Sequence, residues 1–143
     1  MKESNPKDEI GSTKAPLDLV PVAGNYYAAE AMLEGALKYG KFNWRVAGVR
    51  ASIYYAALLS HAAKWFNGQD RDPTTLVHEL GAARACIDIL IDAIECQTLN
   101  DDRPPPMPGG ALENLRRSPT VLRLLETYPP DREGAPHQWT IHG

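Results

Sequence analysis

Residues 35–45 read GALKYGKFNWR, a stretch that predicts the end of one helix and the turn after it. Gly40 can take the left-handed conformation that ends helices, and Lys38 suits the negative end of the helix dipole. Upstream, Glu30 and Glu34 lie one helical turn apart, so both carboxylates project from one face. Two such carboxylates repel each other unless positive charge lies between them. A hard divalent cation such as Mg²⁺ or Mn²⁺ meets that need.

The same turn also brings a lysine, an asparagine and a tryptophan together. Lys38, Asn43 and Trp44 combine positive charge, an amide and a flat apolar surface, which suits the phosphates and base of a nucleoside triphosphate. The alternative is structural, because glutamates four residues apart are typical of a solvated helix face and a lysine before a terminal glycine is an ordinary helix end. The spacing alone leaves both interpretations open.

Length and composition limit the architecture and the partners. The chain has 143 residues, of which 43% are hydrophobic, so it can bury one sizeable core, and its length predicts no second full domain. With 15 basic and 18 acidic side chains the formal net charge is −3, which argues against binding polymeric nucleic acid. No apolar run approaches membrane-spanning length, and residues 1–14 contain no apolar signal-peptide core. We therefore expect a cytoplasmic protein without membrane contact.

Proline positions indicate where long helices can form. Two long windows contain no proline, residues 22–72 and 74–103. Apolar periodicity within or beside these windows predicts three helices, over residues 25–39, 53–66 and 73–98. Ser52 and Asp72 are suitable N-caps for the second and third of them. Further along, Ser118 followed by Pro119 predicts a short helix that ends near Tyr128.

The predicted fold class is all-α, a small oligomeric helical bundle with an extended N-terminal arm and an irregular C-terminal tail. Four segments are expected: the arm (1–23), a helical core (24–99), a Pro-rich linker (100–110), and short helices with the tail (111–143). The apolar Leu17, Leu19 and Val20 of the arm are expected to dock it on the body. Because short helices expose much apolar surface, we expect a homodimer or homotetramer.

Two polar residues fall on apolar faces of the predicted helices. Glu79 shares a face with Ala83 and Ala93, so its carboxylate is expected to point toward the packed interior. A buried carboxylate is usually neutralised, salt-bridged or bound to metal; the alternative is a helix-end glutamate that reaches solvent. His61 shares the apolar face of the second helix with Tyr54, where a hydrogen-bonded core histidine is more typical than a functional one.

Several segments, taken in order, resemble one known family. They are TKAPLDLVP in the arm, GALKYGKFNW after the first helix, AALLSHAAKWFNGQDRDP around the second and TLVHELGAA at the start of the third. These segments resemble the phage-associated dATP/dGTP diphosphohydrolases, which include MazZ-like enzymes and are similar to the all-α MazG-type nucleotide pyrophosphohydrolases. The resemblance covers residues 13–96, and it rests on the combination of K-Y-G-x-x-N-W, H-x-x-x-W and G-x-D-x-D-P.

The resemblance implies a metal site next to a substrate site. The implied carboxylate ligands of Mg²⁺ or Mn²⁺ are Glu30, Glu34 and Glu79. Glu34 and Lys38 are the predicted catalytic residues, with Glu34 as the group that takes a proton from the attacking water. The implied substrate-binding residues are Lys38, Asn43, Trp44, His61 and Asp70.

Two positions depart from the family pattern. Ser60 stands where the pattern usually has arginine, and Lys64, one turn further along, is expected to replace that positive charge as a further substrate-binding residue. Ala82 stands where a second ligand would follow Glu79 by three residues. A metal ligand is therefore missing or supplied from elsewhere.

The activity that the resemblance implies is hydrolysis of a purine deoxynucleoside triphosphate, dGTP or dATP, to the monophosphate and pyrophosphate, in phage nucleotide metabolism within the host cytoplasm. The alternative is a catalytically silent nucleotide-binding or assembly protein of the same fold, which the loss of a ligand at Ala82 would allow. A further alternative is an interaction module that uses the bundle and the Pro-rich linker to hold a partner.

Overall fold

The computed structural model describes residues 5–143 and divides into two compact units between Asp102 and Arg103. Residues 1–4, the start of the predicted arm, lie outside the described residues. The helical content confirms the all-α prediction, with only a two-residue pair of strands added within residues 5–143. The elements of the first unit are α1 (Pro6–Gly11), a 3-10 turn (Leu17–Leu19), α2 (Ala23–Tyr39), α3 (Trp44–Ala47), β1 (Val49–Arg50), α4 (Ala51–Phe66), α5 (Glu79–Glu95) and β2 (Leu99–Asn100).

Helix α5 is the centre of the first unit, because it packs against both α2 and α4. Its buried positions, apart from Glu79, are small residues: Gly81, Ala83, Ala85 and Ala93. At Gly81 the α2 backbone comes so close that a Cβ atom would lie 2.5 Å from the carbonyl oxygen of Tyr27, so glycine is required there. Small side chains thus set the close spacing of these helices.

Many larger apolar side chains of the first unit are exposed instead. On α2 and α5 they include Leu33, Leu37, Ile87 and Ile91. Leu33 is 59% exposed and Ile91 54% exposed, although both lie on long helices of the bundle. None of the helices in the described part of the chain combines the length and the apolar character needed to cross a bilayer.

The turn after α2 follows the sequence expectation closely. Gly40 has a φ of +98°, and its N–H donates to the carbonyl oxygen of Ala36 at 2.9 Å. Helix α3 then leads into β1, which pairs in parallel with β2 through Val49 and Leu99. The strand pair joins the chain just before α4 to the chain just after α5. The strands are too short for any alternating pattern to be visible in the sequence.

The predicted cap of the second helix is wrong. Helix α4 begins at Ala51, so Ser52 lies inside its first turn. The backbone N–H of Ser52 donates to Asp102 Oδ1 at 2.8 Å, and its hydroxyl donates to Asp102 Oδ2 at 2.5 Å. These hydrogen bonds lower the pKa of the Asp102 carboxyl. A carboxylate fifty residues away in the chain therefore accepts a free N–H group at the start of α4, where Ser52 was predicted as the cap.

The third helix begins six residues later than the periodicity predicts, at Glu79 instead of residue 73. The Asp72 carboxylate accepts the N–H groups of Thr74 and Thr75 at 2.8 and 2.9 Å, which forms a local turn. Leu76 then takes a φ of +63°, which cannot continue a right-handed helix. The true N-cap is His78, whose Nδ1 accepts the N–H of Leu80 at 3.1 Å.

The N-terminal segment also differs from the prediction of an extended, docked arm. It contains helix α1, which Asn5 caps by accepting the N–H of Lys7 at 2.9 Å. Leu17 is 80% exposed and Leu19 is 74% exposed. The apolar residues that were expected to dock the arm on the body therefore remain in solvent, and that part of the prediction is wrong.

The second unit, residues 103–143, contains two short helices, α6 (Ala111–Arg116) and α7 (Pro119–Thr127). The hydroxyl of Ser118 accepts the N–H of Val121 at 3.3 Å, which confirms the predicted serine cap of α7. Pro119 occupies the first helical position, where its missing N–H removes no helical hydrogen bond. The remaining residues of this unit are turns and irregular chain.

Candidate active site

A cavity of about 220 Å³ lies among α2, α4, α5 and the turn before α3. Five of the residues that the sequence predicts at the site line this cavity: Glu34, Lys38, Asn43, Trp44 and His61. Tyr54 lines it as well, and burial raises the pKa of its phenol. The periodicity had placed Tyr54 on the face of His61 but had not assigned it to the site. Ala82 also lines the cavity, so the position of the missing ligand contributes only a methyl group.

Glu34 and Lys38 form an ion pair at the cavity. Lys38 Nζ lies 2.9 Å from Glu34 Oε1, one helical turn away. The hydrogen bond to Glu34 and the negative charge of that carboxylate raise the pKa of the Lys38 ammonium. The side chain of Glu34 is 30% exposed and that of Lys38 is 54% exposed, so a ligand in the cavity can reach both. A charged donor and a carboxylate are therefore available at one wall.

Glu30 lies outside this cavity. It borders a neighbouring groove together with Glu34 and Arg71, and its Oε2 lies 3.6 Å from Arg71 Nη1. The guanidinium of Arg71 in turn lies over the ring of Tyr27, 5.5 Å from its centroid. The two glutamates predicted as a pair therefore share a groove, but each is paired with a different cation.

Glu79 is a buried charged residue, with 2% of its surface exposed, as the sequence predicts. Its Oε1 lies 3.0 Å from Nδ1 of His61, and its Oε2 accepts the side-chain N–H of Gln69 at 3.0 Å. Glu79 is the first residue of α5, where the helix dipole favours negative charge. Both carboxylate oxygens are therefore occupied by side chains of the same chain.

The loop between α4 and α5 brings these partners together. The backbone N–H of Glu79 donates to the carbonyl oxygen of Asp70 at 2.9 Å, and Arg71 and His78 form an antiparallel bridge beside it. Gln69 is a site residue that sequence reasoning missed. It lies next to Asp70 in the G-x-D-x-D-P loop, so the loop was the available signal. Asp70 contributes its backbone carbonyl, which accepts the N–H of Glu79. Neither Asp70 nor Lys64 is among the residues that line the cavity.

A second carboxylate, Asp92, fixes the position of Trp44. The indole Nε1 donates to Asp92 Oδ2 at 2.7 Å, and the guanidinium of Arg45 donates to both carboxylate oxygens at 2.9 and 2.8 Å. The hydrogen bonds from Arg45 and then Trp44 hold the pKa of the Asp92 carboxyl well below its usual range. No local sequence pattern links Asp92 to a residue 48 positions earlier.

The three predicted metal ligands fit a hard cation in chemistry but are not gathered into one cluster. Within residues 5–143, no group of three or more His, Cys, Asp or Glu side chains is placed to hold a metal ion. Glu30 and Glu34 are partly exposed carboxylates on one groove, so their donor type and their access suit Mg²⁺ or Mn²⁺. Glu79 is engaged on both oxygens by His61 and Gln69 and does not join them.

The family model described as dATP/dGTP diphosphohydrolase, N-terminal, matches residues 4–103. This range contains every predicted site residue and ends next to the boundary between the two compact units. Searches of curated proteins and of solved structures found no match.

Proposed function

Since the chain belongs to the dATP/dGTP diphosphohydrolase family through its N-terminal domain, we propose that it hydrolyses dGTP or dATP to the nucleoside monophosphate and pyrophosphate. The observation that carries this proposal is the cavity, which collects five predicted residues from α2, the turn after it, α3 and α4. A cation, a carboxylate, an amide and an indole around one cavity are groups that suit a nucleoside triphosphate.

In the proposed reaction, a water molecule attacks the α-phosphorus. A new oxygen–phosphorus bond forms, the bond from the α-phosphorus to the bridging oxygen breaks, and pyrophosphate leaves. Glu34 takes the proton from the water, because its carboxylate lines the cavity and remains partly exposed. Lys38 donates hydrogen bonds to the phosphate oxygens, and Asn43 binds the nucleotide through its amide.

Trp44 is proposed to form the wall against which the purine stacks. The cavity of about 220 Å³ is smaller than the roughly 300 Å³ at which ligand pockets usually begin, so it would hold only part of the nucleotide. Trp44 also borders a larger, mainly apolar groove of about 570 Å³. The indole therefore borders two spaces. The larger groove has enough room for a base, and the smaller cavity is lined by Glu34 and Lys38.

The proposal includes Mg²⁺ or Mn²⁺, for which Glu30 and Glu34 would supply ligands and Glu79 is the third predicted ligand. When bound, such an ion would lower the pKa of a coordinated water and neutralise phosphate charge. The support is the donor type of these side chains and the groove that Glu30 and Glu34 share.

We further propose a homodimer or homotetramer in the cytoplasm, within the host cell if the chain is phage-encoded, acting in phage nucleotide metabolism. The support for self-association is the exposed apolar surface of α2 and α5, which includes Leu33 and Ile91. Light scattering is expected to give a multiple of 15.7 kDa, and a mass equal to that value would contradict this part.

The test of the activity is pyrophosphate release by the purified full chain, with each deoxynucleoside triphosphate in turn and Mn²⁺. We expect release from dGTP or dATP above the pyrimidine nucleotides. Glu34→Gln should lower kcat by about 10²- to 10⁴-fold, the usual contribution of a general base. Glu95→Gln, the same change at the exposed last residue of α5, is the control and should leave kcat unchanged. The absence of release from every nucleotide would contradict the proposal.

Two observations favour the alternative of a silent nucleotide-binding protein. The site has Ala82 at the position of the missing ligand, and Glu79 is already bound on both oxygens. Under this alternative, titration calorimetry would detect binding of dGTP or dATP while no pyrophosphate appears over hours at high enzyme concentration.

A further inference from the structure

We propose that Glu79 is a positioning residue for His61, and that His61 orients the attacking water in the cavity through its Nε2 atom. The first step of the argument is burial. Glu79 is 2% exposed and lies at the start of α5, behind a histidine that is 29% exposed and lines the cavity. Glu79 itself is not among the lining residues, so its carboxylate reaches the cavity only through the imidazole.

The second step is the inventory of donors and acceptors. An ionised carboxylate can only accept hydrogen bonds, and two side chains, His61 and Gln69, converge on the two oxygens of Glu79 at 3.0 Å each. With Glu79 ionised, the contact places the proton on Nδ1 of His61. In the neutral ring this leaves Nε2 as an acceptor, and Nε2 has no hydrogen-bond partner within residues 5–143.

The third step is what Nε2 can bind. Phosphate oxygens are acceptors and do not pair with an acceptor nitrogen, whereas a water molecule can donate to it. Lys38 supplies the donor for phosphate on the α2 side of the cavity, and Glu34 beside it is the proposed proton acceptor. His61 on α4 thus holds the water from another wall, and the water donates its second hydrogen to Glu34.

This assignment differs from the metal-ligand role predicted for Glu79, and it rests on the proposed function only for the identity of the reaction. The orientation of the ring can be measured without substrate or metal. Nitrogen-15 correlation spectra of the full chain at about pH 8.5, two units above the ordinary histidine pKa, report which ring nitrogen carries the proton. His61→Asn identifies the His61 signals by their disappearance.

We expect the proton of His61 on Nδ1 in the parent protein, and a shift of the tautomer population toward Nε2–H in Glu79→Gln. Glu95→Gln is the matched control and should leave the spectrum unchanged. A parent protein with the proton on Nε2, or a Glu79→Gln spectrum identical to the parent, would overturn the proposal. If Glu79→Gln does not fold, the spectrum of the parent protein alone still decides the tautomer.

Titration with MnCl₂ alone separates the positioning role from the ligand role. We expect Glu79→Gln to bind Mn²⁺ within twofold of the parent and Glu34→Gln to bind it at least tenfold more weakly. A tenfold loss in Glu79→Gln would assign Glu79 to the metal and overturn the proposal. Failure of the parent to bind Mn²⁺ would remove the metal from the proposed function and, with it, the competing role of Glu79.

The kinetic test is a double-mutant cycle. His61→Asn keeps a donor near the position of Nδ1 and removes Nε2, so Glu79 stays hydrogen-bonded while the cavity contact is lost. Each single change should lower kcat about 10- to 100-fold with KM within threefold, the range typical of partners that orient a functional side chain. In the His61→Asn background, Glu79→Gln should lower kcat by less than twofold more. Losses that multiply would mean that Glu79 acts independently of His61.

Discussion

The two ends of helix α5 each carry a carboxylate that takes hydrogen bonds from a neighbouring part of the chain. At the first residue, Glu79 is 2% exposed, lies 3.0 Å from Nδ1 of His61 and accepts a hydrogen bond from Gln69. Near the last turn, Asp92 is 27% exposed and accepts from Arg45 and the adjacent indole. Within residues 5–143, Glu79 is buried with no lysine or arginine paired to it, whereas Asp92 is partly exposed and paired with Arg45.

This difference separates two roles. Asp92 stays partly exposed and gains a bidentate partner in Arg45, so holding the indole of Trp44 costs less desolvation than burying a carboxylate. Glu79 is removed from water and, within residues 5–143, its oxygens contact an imidazole and an amide, an arrangement that is costly unless every oxygen is satisfied. We infer that Asp92, at one end of α5, orients Trp44 for stacking on the base. Glu79, at the other end, orients His61, which holds the water.

The largest effect is expected at the buried end. Glu79→Ala leaves the donors of His61 and Gln69 without their acceptor and opens a void, and breaking a buried pair of this kind costs about 3–5 kcal/mol. Urea denaturation followed by circular dichroism should show this loss in the free energy of unfolding. Glu95→Ala at the exposed end of the same helix should change stability by less than about 0.5 kcal/mol. Equal losses in the two variants would contradict the distinction.

Trp44→Ala tests the proposed stacking surface for the base, which Asp92 holds in place near the end of α5. Stacking of a base on an aromatic side chain is worth about 1–3 kcal/mol, so KM should rise roughly ten- to hundredfold. Trp44→Phe keeps a ring but loses the donor to Asp92, and we expect a smaller rise in KM. If Trp44→Ala instead melts far below the parent and its folded fraction binds nucleotide normally, the indole is a core residue and the proposed base site is misplaced.

The smallest effect concerns how the contacts of Asp92 with Arg45 and Trp44 stabilise the protein at acidic pH. Because the pKa of Asp92 is lowered in the folded chain, its stabilising contribution is present above the unfolded pKa of about 4 and is lost as the pH falls through the folded pKa. Urea midpoints between pH 5 and pH 2.5 should therefore fall more steeply in the parent than in Asp92→Asn. Parallel slopes would mean that the contact with Arg45 does not stabilise the ionised carboxyl.

The local pattern of the sequence predicted most of the long helices. The absence of proline and the apolar spacing placed the first two helices within two residues of the observed α2 and α4. The periodicity also put Glu79 on the buried face, which the structure confirms. These features follow from contacts within three or four residues, so the sequence pattern contains them.

Other features were not available to local reasoning. The start of α5 was misplaced because the Asp72 side chain captures the N–H groups of the next residues in a turn, a competition that periodicity cannot weigh. The cap of α4 was misplaced because Asp102, which binds Ser52, lies fifty residues further along the chain. In each case a side-chain hydrogen bond decided a helix boundary.

The sequence by itself determined the helical class, the charged turn after α2 and the set of residues from which a site could be built. Only the tertiary structure decided which of them meet: His61 with Glu79, Trp44 with Asp92, and Glu30 apart from the cavity. The physical reason is that helix formation depends on neighbours one turn away. Pairing across helices depends on how closely two backbones approach, as Gly81 permits between α5 and α2, and on which distant donors that packing brings to each carboxylate.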